Sequence, residues 1–382
     1  MLSESKFARL QGVKFGLVTN QTATVGGRHL LELLKAAGTP PAVIFVPEHG
    51  LKGTQEDGVQ IKDAVELGIP VRSLYGGTKK PGQKDLAGLS LLIFDIQNIG
   101  TRFYTYIATM GLVMQAAAEA DLPLLILDRP NPLGGNYISG FVSRVTPPSF
   151  TALYPIPITH GMTVGELALM IRGEKMLTGL EKLKLSVEKM SGWQRWMRWP
   201  DTGLTWTATS PNIPDYTTAL LYAGAGLLEG TRASEGRGTA TPFLLAGWPG
   251  IDGDLLATTL NSEQLPGVSF TAAQFTPHSI PGKASTPKYL DRSVSGIAIT
   301  VTDQARVQPV ETGVAIVKAI YNALPAKEQQ KFFRKGLDDL GGSTLLRQAI
   351  VKGNTTREIT ALWREEVERF TVKRRPYLLY PD

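Results

Sequence analysis

The sequence predicts an α/β protein with a doubly wound, mostly parallel sheet and a second, smaller domain after it. Three observations carry this reading. Short apolar runs, long enough for strands buried on both faces, alternate with stretches of helical periodicity through the first part of the chain. Several of these runs end in a polar corner, as strands do where an open α/β sheet turns into its helices. At 382 residues the chain exceeds what one compact core usually holds, and the pattern weakens after about residue 243, so the expected division is 1–243 and 244–382.

The stretch 91–110, LLIFDIQNIGTRFYTYIATM, organises the rest. Leu91 to Phe94 are continuously apolar, Asp95, Gln97 and Asn98 follow, Gly100 breaks the pattern, and Thr101 is placed to cap a helix rich in aromatics and alanine. Upstream, 13–18 reads as a first strand with a polar corner at Thr19, Asn20, Gln21 and Thr22. Leu30, Leu31, Leu33, Leu34 and Ala37 then recur at helical spacing up to Gly38. A second strand at 42–46 ends in PEHG, residues 47–50; residues 54–63 are polar and loop-like, and 71–74 form a short strand ending at Tyr75 and Gly76.

Downstream, 124–127 reads as another strand, ending in DRPNPLGG, residues 128–135. Thr163 and Glu166 have capping-box spacing before an apolar helical run, and 183–187 reads as one more strand. Trp193, Trp196 and Trp199 recur every three residues and read as packing surface in preference to a sugar platform. SPNIP (210–214) is a turn before a small-residue helix, and EGTRASEGRGTATPF (229–243) is too polar for a core element. Beyond it lie a strand-like run at 296–301 and helices at 314–324 and 359–370, with no internal repeat and no low-complexity segment.

Composition excludes several classes. Apolar residues at 42% and charged residues at 19% suit a globular chain and not a disordered one. No apolar run approaches the roughly 18 residues that a membrane span needs, and residues 1–10 hold no apolar h-region, so no signal peptide is expected in this numbering. The absence of cysteine rules out disulfides and thiol chemistry. A net charge of +6 (40 basic minus 34 acidic) without a dense Lys/Arg block argues against a nucleic-acid partner.

The chemistry centres on acids at strand ends. If the strands are parallel neighbours, Glu48, Asp95 and Asp128 emerge on one sheet edge, their carboxyls opening into a shared cleft. Crowding and partial burial raise carboxyl pKa values, letting one group act as an acid near neutral pH. Singly, each acid reads as a helix cap or loop acceptor. Together, with His49, Arg102, Tyr104, Arg129, Asn131 and His160 close in sequence, they read as a site. His49, next to Glu48 on an extended segment, should point to the opposite side. The 229–243 segment should line the cleft, with Arg237 contacting substrate or an acid, because Glu229, Glu235 and Arg237 are costly to bury unpaired.

Other chemistries lack their signatures. The first corner, TNQTATVGG, has no G-x-G-x-x-G and no P-loop follows any strand, so no nucleotide cofactor is expected. His49, Asp95, Asp128 and His160 lack the tight spacing of metal ligands, and there is no G-x-S-x-G elbow. Paired-carboxylate chemistry remains, of which glycoside hydrolysis is one form.

PEHG, SLYG (73–76), FDIQNIGTRFYTYIATM (94–110), LDRPNPLGG (127–135), HGMTVGEL (160–167), SPNIP, EGTRASEGRGTATPF, LWREEVERF and the closing RRPYLLY (374–380) together resemble one family, the NamZ exo-β-N-acetylmuramidases of bacterial cell-wall recycling. The resemblance implies a Rossmann-like catalytic domain and a smaller C-terminal α/β domain closing the cleft; the missing ligand spacing and phosphate loops predict activity without cofactor or metal. It implies release of terminal β-1,4-linked N-acetylmuramic acid (MurNAc) from peptidoglycan-derived MurNAc-GlcNAc saccharides or muropeptides. The resemblance makes Glu48 the catalytic acid, and a partly buried cleft with carboxylates nearby should hold it protonated. Asp95 would orient a water or the acetamido group, with Asp128 as the alternative partner.

MurNAc differs from GlcNAc by a lactyl carboxylate at O3, which suits an arginine fork, with Arg102, Arg129 and Arg237 as candidates. Asn20, His49, Gln97, Tyr104, Asn131, His160 and Glu229 complete the expected substrate-binding set. The family implies an extracytoplasmic location, periplasmic or secreted, with the cytoplasm as alternative. A peptidoglycan- or carbohydrate-binding protein without turnover and a metal-dependent hydrolase are the two competing classes.

Overall fold

The computed structural model describes residues 7–382; residues 1–6, within the stretch expected to lack an h-region, lie outside the described residues. The chain enters through β1 (Phe15–Thr19), a hairpin of β2 (Thr24–Val25) and β3 (Arg28–His29), and α1 (Leu30–Ala36). There follow β4 (Val43–Val46), β5 (Ala64–Glu66), β6 (Ile69–Ser73), α2 (Gln83–Leu86), β7 (Leu91–Asp95), α3 (Tyr106–Glu119), β8 (Leu124–Leu127), α4 (Val164–Gly173) and β9 (Leu185–Glu188). Seven strands form one sheet in the order β5-β6-β4-β1-β7-β8-β9, parallel throughout except that β5 runs antiparallel to β6. This is the mostly parallel, doubly wound sheet that the alternation predicts.

Register explains the apolar runs. Leu17 aligns with Ile44 and Ile93, and Ile44 with Val71; this row packs under Leu30, Leu31 and Leu34 of α1. The neighbouring row, Phe45, Val18, Phe94 and Ile126, shares a core with Met110, Val113 and Met114 of α3 on the other face. A strand covered on both sides has no reason to alternate, so each reads as continuously apolar.

Local departures have identifiable causes. The unexpected β2–β3 hairpin turns on Gly26 (φ 56°) and Gly27 (φ 77°), the left-handed pair that a tight two-residue turn requires. The central helix begins at Tyr106 and not after Thr101, because Thr101 bridges Thr159 and the N–H of Arg102 donates to Ile158 O. Thr163 and Glu166 do form a capping box on α4, and the Glu166 carboxylate also receives both NH1 (2.7 Å) and NH2 (3.1 Å) of buried Arg195. Trp193 packs edge-on to Tyr380 and Trp199 to Trp206, while Trp196 is 53% exposed.

The second part begins with α5 (Tyr216–Ala225) and a 3-10 turn at Gly226–Gly230. Three antiparallel strands, β10 (Leu245–Trp248), β11 (Val268–Phe275) and β12 (Val294–Val301), form a separate sheet in the order β10-β12-β11, with α6 (Gly253–Ser262) between β10 and β11 in sequence. Then come α7 (Pro309–Ala323), α8 (Ala326–Phe332), α9 (Gly336–Gly341), α10 (Leu345–Val351), α11 (Thr356–Ala361) and α12 (Arg364–Arg374). The single helix expected at 359–370 is therefore two, parted where Trp363 packs edge-on to Phe141 at 5.1 Å. One apolar core runs through α3, α5 and α7 and joins the two sheets. Among the described residues, no helix is long and apolar enough to cross a membrane.

Helices α5 and α7 cross with their backbones in contact. A Cβ on Gly224 would lie 1.7 Å from Pro309 O, and one on Gly313 would lie 2.2 Å from the Gly224 backbone. In an exposed helix, glycine to alanine gains about 1 kcal/mol. Here Gly224→Ala or Gly313→Ala should reverse that sign and destabilise by ~1–3 kcal/mol, since neither backbone can yield without repacking the core. Denaturant melts that leave the midpoint unchanged or raised would contradict the crossing.

Candidate active site

The site starts from the end of β4. After Val46 the chain continues through Pro47, Glu48, His49 and Gly50, and His49 (φ 72°) and Gly50 (φ 75°) both adopt the left-handed backbone. The extended-strand rule that would separate Glu48 from His49 therefore does not apply, and both line one cavity of about 390 Å³. The Glu48 carboxyl is buried, with Oε1 accepting the N–H of Gly58 (2.9 Å) and Oε2 the hydroxyl of Thr105 (2.8 Å). Thr105 precedes the first residue of α3 but makes no capping bond there, so its hydroxyl is free to hold Glu48. Nδ1 of His49 donates to Gln55 O at 2.7 Å, since a carbonyl can only accept, and its Nε2 faces Asp57 at 3.8 Å.

The far wall is ionic. Arg237 contacts Asp57, donates to Glu229 (2.7 Å) and approaches Glu235 (3.7 Å), while Lys288 meets Glu235 at 2.7 Å. Burial works against the charge of Arg237, but Glu229, Asp57 and Glu235 together hold its pKa above the ordinary value. Burial raises Asp57, with Arg237 and His49 opposing and Glu48 reinforcing the rise. Glu229 is raised for the same first reason, against Arg237. Segment 229–243 thus lines the cavity, with Arg237 bound to acids.

Tyr75, Tyr104, Phe150 and Tyr222 supply aromatic surface. Burial and the charge of Glu48 keep the Tyr75 phenol protonated. The hydroxyl of Tyr104, a residue only 7% exposed, is buried without a hydrogen-bond partner among the described residues.

The other strand-end acids share the sheet edge but not the cavity. Asp95 ends β7 and receives Arg129 through Nε (2.5 Å) and NH2 (3.0 Å), a bidentate pair that uses both its oxygens. Asp128, one residue past β8, accepts from Tyr380 (2.6 Å), Thr163 (2.7 Å), Gly165 N–H (2.8 Å) and Arg129 N–H (3.0 Å). Burial pushes Asp128 up to about 6 against the first three of these donors. The shared cleft expected for the three carboxyls is therefore corrected to one carboxyl, Glu48, with two neighbours committed to internal donors.

The remaining expected ligands are also internal. Arg102, fully buried, donates to the carbonyls of Phe141 (2.8 Å), Ile156 (2.9 Å) and Leu340 (2.7 Å); burial lowers its pKa to about 9. Asn20 accepts from Thr22 inside its turn, Gln97 donates to Pro130 O, and Asn131 spans Leu133 N–H and Met162 O. His160 accepts the Met162 N–H at Nδ1 (3.2 Å), and burial, aided by Arg374 and Arg102, lowers its pKa to about 3. Glu48, His49, Tyr104, Glu229 and Arg237 are the expected residues that reach the cavity. Tyr75 and Thr105 stood within the quoted motifs without being singled out, whereas Asp57, Lys79 and Phe150 carried no signal, being loop residues joined only by the fold.

His49, Asp95, Asp128 and His160 do not assemble, and among the described residues no cluster of three or more His, Asp or Glu could hold a metal. A larger groove of about 580 Å³, lined by Tyr137, Trp196, Arg198 and Arg306, has no carboxylate in its described lining and so offers no acid.

Comparison with known proteins gives one answer. The chain matches the family model described as exo-beta-N-acetylmuramidase NamZ, N-terminal, over residues 15–217, and its C-terminal counterpart over 220–380. It is 39% identical over 377 residues to the peptidoglycan beta-N-acetylmuramidase NamZ of Bacillus subtilis (strain 168), covering 97% of this chain and 88% of that protein. Two crystal structures of DUF1343 family proteins from Bacteroides fragilis NCTC 9343 are each 32% identical to it. One superposes with a TM-score of 0.88 over 99% of this chain and 97% of that one, the other with 0.80 over 100% and 97%.

The placement of His160 has a measurable consequence. In the folded chain its imidazole stays neutral down to about pH 3, whereas unfolded histidine takes a proton below ~6.5. The unfolded state therefore binds more protons between these values, and stability should fall with falling pH at up to ~1.4 kcal/mol per unit. His160→Asn keeps an acceptor for the Met162 N–H two residues on but cannot titrate. Its urea-derived stability should lose less between pH 6.5 and 4 than that of the wild type. Parallel slopes for the two proteins would show that His160 is not buried neutral.

Proposed function

The chain belongs to the NamZ family of exo-β-N-acetylmuramidases, which are glycoside hydrolases, and we propose that it releases terminal β-1,4-linked MurNAc from peptidoglycan-derived MurNAc-GlcNAc saccharides or muropeptides with Glu48 as proton donor. One observation carries the assignment. Of the three strand-end acids, Glu48 alone has a carboxyl that both lines the cavity and is held at each oxygen, by Gly58 and Thr105.

Cleavage of a glycosidic bond requires a proton on the leaving oxygen and stabilisation of an oxocarbenium-like centre. Glu48 lies at the cavity wall, and its two anchors fix the carboxyl plane, so a sugar bound there would meet a preset acid rather than a mobile one. Asp57 supplies the second cavity carboxylate, in place of the Asp95 and Asp128 expected from sequence. Burial raises its pKa, while Arg237 and His49 oppose that rise and favour the charged form that would stabilise positive charge at the anomeric carbon. Tyr75 and Phe150, 6.5 Å apart, offer ring faces for the pyranose. Asp95 and Asp128 act at one remove by holding the loops behind this wall.

Glu48→Gln preserves size and one acceptor, so binding should persist. Loss of a proton-transfer group typically costs about 10²- to 10⁴-fold in rate. The loss should be large for a MurNAc-GlcNAc disaccharide, whose leaving alkoxide needs the proton, and clearly smaller for nitrophenyl β-MurNAc, whose leaving group does not. Equal losses on both substrates would make Glu48 a nucleophile or binder, and unchanged rates would remove it from the site.

A further inference from the structure

MurNAc carries a negative charge that GlcNAc lacks, and the cavity into which it must fit is already acidic. Glu48, Asp57 and Glu229 all line it. Without a cation placed for the lactyl group, the distinguishing feature of the substrate would be repelled from its own site.

The arginines expected to supply that cation are committed elsewhere. Arg102 is spent on backbone carbonyls, Arg129 on Asp95, and Arg237 on Asp57, Glu229 and Glu235. His49 is engaged at Nδ1 with Gln55 O and faces Asp57 through Nε2. Among the described residues, one other cation lines the cavity. Lys79 is exposed at its rim, has no carboxylate partner among the described residues, and rests its ammonium 4.2 Å from the centre of the Phe150 ring. Phe150 in turn neighbours Tyr75, so the charge sits beside the aromatic surface offered to the sugar.

We propose that Lys79 is the specificity-determining residue that receives the O3 lactyl carboxylate, and that it makes the cavity select MurNAc over GlcNAc. The inference rests on the assignment of this cavity as the MurNAc site. Stacking on Phe150 positions the ammonium without neutralising it, because a ring face attracts a cation but cannot replace a carboxylate. The loop that carries Lys79 has Gly76 and Gly77 before it and Gly82 after it, which lets a four-carbon stem swing onto an incoming anion. A sugar without the lactyl acid would find the same aromatic wall and gain nothing from this residue.

The test measures binding of free MurNAc and of its lactyl carboxamide by calorimetry on the wild type, Lys79→Gln and Lys79→Arg, beside steady-state kinetics on nitrophenyl β-MurNAc. The wild type should prefer the carboxylate by about 10-fold, as a charge-assisted contact at a partly open rim implies. Lys79→Gln should bind the two ligands alike, and Lys79→Arg should keep the preference. In Lys79→Gln the kinetic loss should fall on KM more than on kcat. A preference that survives in Lys79→Gln, or an equal loss of both ligands, would overturn the assignment. Because binding is read without turnover, a protein that discriminates through Lys79 yet cleaves nothing would uphold this inference and sink the glycosidase reading instead.

Discussion

Arg237 is the charge on which the cavity depends. Its guanidinium draws Asp57 from the loop after β4 onto Glu229 and Glu235 from the segment that leads into the second sheet. Gly58, next to Asp57, donates the N–H that fixes Glu48. One partly buried ion cluster therefore sets the position of the acid, the loop over it and the wall opposite. Such a cluster is a source of geometry more than of net stability: desolvation of the ions offsets most of their attraction, while removing the cation would leave buried Glu235 and the half-buried Asp57 and Glu229 without it. Lys288 lightens that load by meeting Glu235 and by donating to the carbonyls of Leu228 and Ala233.

A second layer of polar contacts holds the sheet edge from behind. Asp128 ties the start of α4 to Tyr380 near the C-terminus, Glu166 at the same helix start takes Arg195 and the N–H of Leu379, and Arg374 reaches the carbonyls of Gly135 and Gly161. The last residues of the chain thus close over the β8 end of the first sheet. Arg102 does the same from the opposite direction, joining Phe141 and Ile156 to Leu340 of α9. The two sheets are consequently held in one arrangement around the cavity by buried charge–carbonyl contacts as well as by the common apolar core.

The fold was legible because strands buried on both faces leave an unmistakable apolar run, and the capping box at Thr163 and Glu166 is a purely local device. The edge on which Glu48, Asp95 and Asp128 emerge followed from the same pattern. Their separation did not, because it depends on which donors each acid meets. Arg129 stands 34 residues from Asp95 and Tyr380 stands 252 from Asp128, distances over which sequence patterns carry no signal. Local backbone also escaped: nothing in PEHG announces that His49 turns left-handed, yet that one φ angle brings both side chains to the cavity. Lys79 and Phe150 were invisible for the first reason, lying on separate loops that only the folded chain brings together.

The proposed mechanism places the scissile bond in the cavity beside Glu48. The most direct measurement is a crystal structure of the Glu48→Gln protein with a bound MurNAc-GlcNAc disaccharide. The glycosidic oxygen should lie within ~2.6–3.2 Å of the side chain at position 48, with a sugar ring against Tyr75 and Phe150. A disaccharide seated in the larger groove by Trp196, or one whose glycosidic oxygen faces Asp95 or Asp128, would contradict it.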